Sequence, residues 1–147
     1  MDLYDISFFL TTLWVGPFWL AMLIYPDEES TKKLLKGPMF FLGPILIWIF
    51  LTLLEPQGLV ELIKGFTNPL EILDEIAVLI GTKAGAAAVW AHMVAGDIFA
   101  TRWMWKRSLR LGFEKWKTTA VVFFGVMLMP LGVFLYVIFS KNLSSSD

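Results

Sequence analysis

The sequence predicts an all-α integral membrane protein. The expected architecture is a four-helix bundle, with a short amphipathic interfacial helix between helices two and three. Three observations carry this expectation. First, residues 6–25, 37–54 and 118–140 contain no charged side chain, and residues 84–101 are apolar apart from His92 and Asp97. Crossing a hydrocarbon core takes about 20 mainly apolar residues. Second, these runs lack the polar stripe at period 3.6 that a soluble bundle shows. Third, the 147 residues are 57% hydrophobic, with a mean hydropathy of +0.69. That lies above the usual soluble domain.

Helix one is expected at about 6–25. It follows MDLYD, which is acidic where a cleavable signal would be basic, so this helix is expected to be retained. The charged loop PDEESTKKLLKGP leads to helix two at about 37–54, where Gly43–Pro44 should distort the helix. Asn68 and Pro69 have the chemistry of an N-cap and a first helical position. After them Leu70, Leu73, Ile76, Ala77 and Ile80 share one face, and Glu71, Asp74 and Glu75 another. This predicts the interfacial helix at about 69–80. Gly81–Thr82 ends it and caps helix three, at about 83–105. The basic loop KRSLRLGFEKWK precedes helix four at about 118–139, where Met129–Pro130 is a second point of distortion. Residues 1–140 form one membrane domain, and 141–147 are expected to be a flexible tail.

Charge predicts orientation. Loops one and three hold Lys32, Lys33, Lys36, Lys106, Arg107, Arg110, Lys115 and Lys117, against Lys64, Lys83 and Lys141 elsewhere. Basic loops stay on the cytoplasmic side. A multi-pass chain of four spans then has both termini on the non-cytoplasmic side. The formal net charge of -1 gives no field for nucleic acid. With no cysteine and one histidine, thiolate sites and multi-histidine metal sites are excluded. Phosphate-loop, nucleophile-elbow and H-E-x-x-H motifs are absent. No metal or cofactor is expected.

The segment WAHMVAGDIFATRWMWKR, residues 90–107, holds the ionisable groups of helix three. Such groups inside a span mark a functional site by default. At 100° per residue, Asp97 shares a face with Trp90, Thr101 and Met104. His92 lies about 140° away, with Gly85, Ala88, Gly96, Phe99 and Trp103, a face expected to pack closely on another helix. His92 and Asp97 therefore do not pair along their own helix, and Arg102 sits near the cytoplasmic end. A lone intramembrane histidine also serves simply to lock packing by a hydrogen bond. The aromatic residues Trp14, Phe18, Trp19, Trp48, Trp90 and Trp103 are the natural lining of a slot for a long flat hydrophobic molecule.

Two stretches resemble the abscisic-acid-deficient-4-like family of small membrane proteins, associated in plants with neoxanthin synthesis. WAHMVAGDIFATR matches its W-x-H-x-x-x-x-D-[LI]-F-x-x-R segment at Trp90, His92, Asp97, Phe99 and Arg102. PFWLAMLIYPDEESTKK matches at Pro17, Phe18, Met22, Pro26, Thr31, Lys32 and Lys33. The resemblance implies a non-redox isomerase acting on an epoxy-carotenoid or related polyene, which needs one group to protonate the epoxide and another to remove a proton. On that reading Asp97 and His92 share the acid and base roles, and Arg102 orients Asp97 or a polar end group. Trp90, Phe99, Trp103, Phe18 and Trp14 would bind the substrate. The alternative is a non-catalytic carotenoid- or pigment-binding accessory or assembly factor of a photosynthetic membrane. Partners expected are a carotenoid or other hydrophobic isoprenoid, membrane lipids, and a homo-oligomer or photosynthetic complex. The N-terminus lacks the Arg- and Ser-rich character of a transit peptide, so the expected location is a bacterial or cyanobacterial plasma or thylakoid membrane.

Overall fold

The computed structural model describes residues 1–67 and 70–144. Among these residues the chain forms eight helices and no strand. They are α1 (Leu3–Ile24), α2 (Glu29–Leu34), α3 (Met39–Leu54), α4 (Pro56–Gly65), α5 (Ile72–Gly81), α6 (Lys83–Arg110), α7 (Lys115–Met127) and α8 (Met129–Ser144). The all-α class follows the sequence.

α1 begins with a reciprocal cap. The Asp2 carboxylate accepts from the Tyr4 and Asp5 N–H groups, and Asp5 accepts from the Asp2 N–H. α6 begins as the sequence predicts, with the Thr82 hydroxyl accepting from the Gly85 N–H. α1 and α6 run parallel. Lys83 pairs with Asp2 and Asp5 at one end, and the Trp105 indole donates to the Pro26 carbonyl at the other. Midway the Trp90 indole donates to the Thr12 hydroxyl. α3 runs antiparallel to both, with Tyr4 bonded to Glu55, Trp14 to the Met39 carbonyl, and Phe99 against Phe40 and Phe41.

The face of α6 expected to pack closely does so at Gly85 and, in part, at Ala88, but not further along the helix. Ala87, Ala91, Ala95, Ile98 and Trp105 are buried, while His92, Gly96, Phe99 and Trp103 are exposed. Alanines spaced every four residues give a continuous shallow strip, so neighbouring backbones approach closely there. Val15, Met22, Phe40, Ile98, Trp105 and Val122 form the main core on that strip.

Residues 118–139 do not form one helix. α7 stops at Met127, and Leu128 breaks it with φ -150° and ψ 74°. Pro130 follows, with no N–H to continue the ladder. α8 then folds back along α7. Phe139 stacks edge-on against Trp116 at 5.5 Å and against Phe113 at 6.2 Å. A continuous helix would carry residue 139 about 34 Å from residue 116. The bundle therefore has three long helices and a helical hairpin in place of a fourth span. Residues 139–144 return to the end where α6 and α7 join, so the start of α1 and the end of α8 lie at opposite ends of the bundle, not at the same end as expected. α8 extends to Ser144, through part of the segment expected to be a flexible tail; residues 145–147 lie outside the described residues. Pro44, by contrast, is accommodated inside α3 without ending it.

The second loop also folds differently. It makes two helices, α4 and α5, where the sequence predicts one. Pro56 starts α4 in its favoured first-turn position. α5 turns Ile72, Ile76 and Leu79 inward and leaves Leu70, Leu73 and Ile80 exposed, so the inward face is rotated from the expected one. The predicted cap at Asn68–Pro69 lies outside the described residues. Two segments, Leu3–Ile24 and Glu29–Leu54, are long and apolar enough to cross a membrane.

Candidate functional site

α4 and α5 close over the space between α3 and the first turns of α6. Glycines make the approach possible. Gly58 meets the Leu79 side chain, and Gly85 meets the Leu79 carbonyl, so a side chain at either position would collide. The result is a cavity of about 460 Å³. This is within the range of small-ligand sites, roughly 300–1,000 Å³. Its walls are mainly apolar, with Leu51, Leu62, Val78, Leu79, Ala88 and Val89 among them.

Six residues bring polar side chains to this cavity: Thr52, Glu55, Gln57, Glu61, Thr82 and His92. Two are committed to the backbone. Thr52 donates to the Trp48 carbonyl at 2.8 Å, and Thr82 donates to the Leu79 carbonyl at 2.9 Å while accepting from Gly85. Glu55 accepts from the Tyr4 hydroxyl at 2.9 Å, which ties α1 to the cavity rim. His92 lies against Trp48, ring centres 5.5 Å apart, and makes no hydrogen bond among the described residues. Both imidazole nitrogens remain available to a ligand. A tilted histidine on an indole face, between apolar walls, can hold or move a proton at a bound molecule. No group of three or more metal-ligating side chains occurs among the described residues.

The three expected catalytic residues are not brought together. Asp97 is half-buried on the opposite flank of α6, about 7.5 Å along the axis from His92 and 140° around it. It makes no hydrogen bond or ion pair among the described residues. Arg102 is a structural clamp. Its Nε donates to the Leu35 carbonyl at 2.6 Å and its Nη2 to the Lys36 carbonyl at 3.4 Å. The guanidinium also stands 4.7 Å over the Phe40 ring. It thus closes the C-terminal end of α2 and does not orient Asp97.

The expected substrate-binding aromatics also scatter. Trp90 is tied to Thr12 and tilts against Phe8 on α1. Phe99 packs on Phe40 and Phe41 of α3, and Trp103 on Tyr136 of α8. Trp14 covers Gly43 and bonds to Met39, and Phe18 packs on the main core. None of these five lines the His92 cavity. Of the residues lining this cavity, the sequence singles out His92 and Trp48. It passes over Glu55, Gln57 and Glu61, whose polar side chains read as an ordinary solvated loop until α4 folds them over α3.

The profile of the ABA DEFICIENT 4-like family matches residues 6–136 of the chain. The chain is 26% identical over 128 residues to the chloroplastic protein ABA DEFICIENT 4 of Arabidopsis thaliana. That alignment covers 86% of this chain and 56% of the plant protein, so the chain spans little more than half the length of that relative. No solved structure matches. The match over most of its length, on the helices that carry His92, Asp97 and Arg102, shows that the chain belongs to the ABA DEFICIENT 4-like family.

Proposed function

We propose that this chain is a polytopic membrane protein of carotenoid metabolism that takes one end group of a polyene into the His92 cavity and isomerises it. The carrying observation is the unpaired imidazole of His92, held against Trp48 in an apolar cavity that Glu55 also lines. A cavity of this size suits one ring, with the polyene chain leaving between helices into lipid. For an epoxide end group, protonated His92 gives its proton to the epoxide oxygen as the C–O bond breaks. The Glu55 carboxylate, oriented by Tyr4, takes the proton that the polyene end releases. One proton enters and one leaves, with no net redox change.

A membrane setting is supported by surface chemistry. Leu13, Leu46, Leu53 and Phe134 are all more than half exposed on the long helices. An apolar surface of this extent needs a partner, and lipid is the one these continuous belts fit. The basic loops gather at one end of the bundle and would face the cytoplasm. The N-terminus then faces the opposite compartment, and the end of α8 the cytoplasm.

The test is direct. The protein is purified, its lipids are extracted, and co-purifying polyenes are identified by chromatography. It is then incubated with epoxy-carotenoids in detergent. Product that forms with wild type and disappears with His92→Ala and Glu55→Gln supports the isomerase. Bound pigment with no turnover would instead establish the accessory role, in which the same cavity only holds the polyene.

A further inference from the structure

The break between α7 and α8 leaves backbone acceptors at the turn between the two helices. Pro130 has no N–H for the Val126 carbonyl. Leu131 and Gly132 both turn their N–H groups to the Leu128 carbonyl, at 2.8 and 3.2 Å. The carbonyls of Gly125, Val126 and Met127 accept no backbone hydrogen bond among the described residues. They point toward the C-terminal end of α7, the negative end of its dipole. Across the break only the Met129 N–H stands open as a donor, so acceptors predominate at the tip.

α6 brings a buried oxygen group to this place. Thr101 packs on Gly125, where an added Cβ would lie 2.5 Å from the threonine hydroxyl. Thr101 is 0% exposed, and its Oγ1 has no hydrogen-bond partner. This buried hydroxyl is free to take a ligand. Asp97 lies one turn, about 6 Å, from Thr101 on the same face. α7 runs back along α6 after a short turn, so that step along α6 leads toward the open carbonyls. The Asp97 carboxyl is half-buried and without a partner among the described residues.

We propose that this locus binds a small monovalent cation, sodium, between the Asp97 carboxylate, the Thr101 hydroxyl and the open carbonyls of α7. Hard oxygen donors suit an alkali ion. Carbonyls freed where a helix breaks inside a bundle are the usual partners of such ions in membrane proteins. One carboxylate balances one positive charge. A divalent ion would leave an uncompensated charge among apolar side chains, which is costly. The site lies on the flank of α6 away from His92, so it is separate from the cavity.

The test uses the full chain in detergent or nanodiscs. Saturable binding of radioactive sodium is measured by scintillation proximity, with choline chloride keeping ionic strength constant. Sodium near 100 times its Kd should raise Tm by about 5–10 °C over choline. Asp97→Asn and Thr101→Val should each weaken sodium binding at least tenfold, while Thr101→Ser, which keeps the hydroxyl, should bind as wild type. His92→Ala should leave sodium binding unchanged. Absence of saturable sodium binding in wild type overturns the proposal. So does undiminished binding in both Asp97→Asn and Thr101→Val. Equal displacement by potassium overturns the assignment to sodium. Should Thr101→Val fail to fold, the comparison of Asp97→Asn with Thr101→Ser decides the matter. A sodium-independent Tm that rises in Asp97→Asn means that a protonated carboxyl, and no ion, occupies the site.

Discussion

Gly125 of α7 and Gly132 of α8 meet backbone to backbone. A Cβ added to Gly132 would lie 2.5 Å from the Gly125 Cα and nitrogen. Both positions are buried. This contact holds α8 folded back on α7 and turns the expected fourth span into a hairpin.

The glycine contact should therefore be sensitive to a single methyl group. Gly132→Ala is expected to destabilise the protein by about 1–3 kcal/mol, since the collision is with backbone that cannot rotate away. Gly96 is the matched control. It sits in α6 with nothing within 4 Å of an added Cβ, so Gly96→Ala should stabilise by about 0.5–1 kcal/mol. Thermal unfolding of the two variants in one detergent checks both signs.

The hairpin also brings the end of α8 back beside the start of α7, which labelling can test. The chain has no cysteine, so single-cysteine variants need no background removal. Lys115→Cys and Lys141→Cys should react with an impermeant maleimide from one face of the membrane, and Lys64→Cys from the other. Labelling of positions 64 and 141 from the same face would restore a continuous fourth span.

Arg102 should behave as a clamp. Replacing it with Met removes a charged donor to the Leu35 carbonyl and should cost about 2 kcal/mol. Arg102→Lys should recover little, because a lysine has no Nε to reach that carbonyl while stacked on Phe40. Unchanged Tm together with lost turnover would contradict this and return Arg102 to the chemistry.

The Asp2–Lys83 contact predicts a pH dependence. The hydrogen bond from Lys83 holds the Asp2 carboxyl down at about 2, below the usual value of 3.8. A carboxyl lowered on folding contributes stability that is fully present above its unfolded pKa and lost as pH falls through its folded pKa. Between about pH 4 and pH 2 wild type should lose stability that Lys83→Met has already lost. Converging Tm curves for the two proteins as pH falls through this window are the expected result; parallel curves would show that the contact contributes nothing.

Much of this molecule was legible as sequence. The all-helical class, the Thr82 cap of α6, the separation of His92 from Asp97 and the disturbance at Met129–Pro130 follow from helical geometry and proline chemistry. These are local properties, fixed within a few residues. The face on which α6 packs was misread because His92, Gly96, Phe99 and Trp103 and the alanine strip are both sterically suited to contact.

What tertiary structure alone decided is where local breaks lead. A proline announces that a ladder ends, but not whether the chain continues or returns; Gly125 facing Gly132 makes it return. Likewise Glu55 and Glu61 look like loop charges until Gly58 lets Leu79 bring α5 across them, enclosing the space beside His92. The sequence by itself determined which residues could be helical and which charges sat in apolar runs. The cavity beside His92 arises from contacts between segments distant along the chain, where close approach of small residues selects one packing among several that the apolar pattern permits.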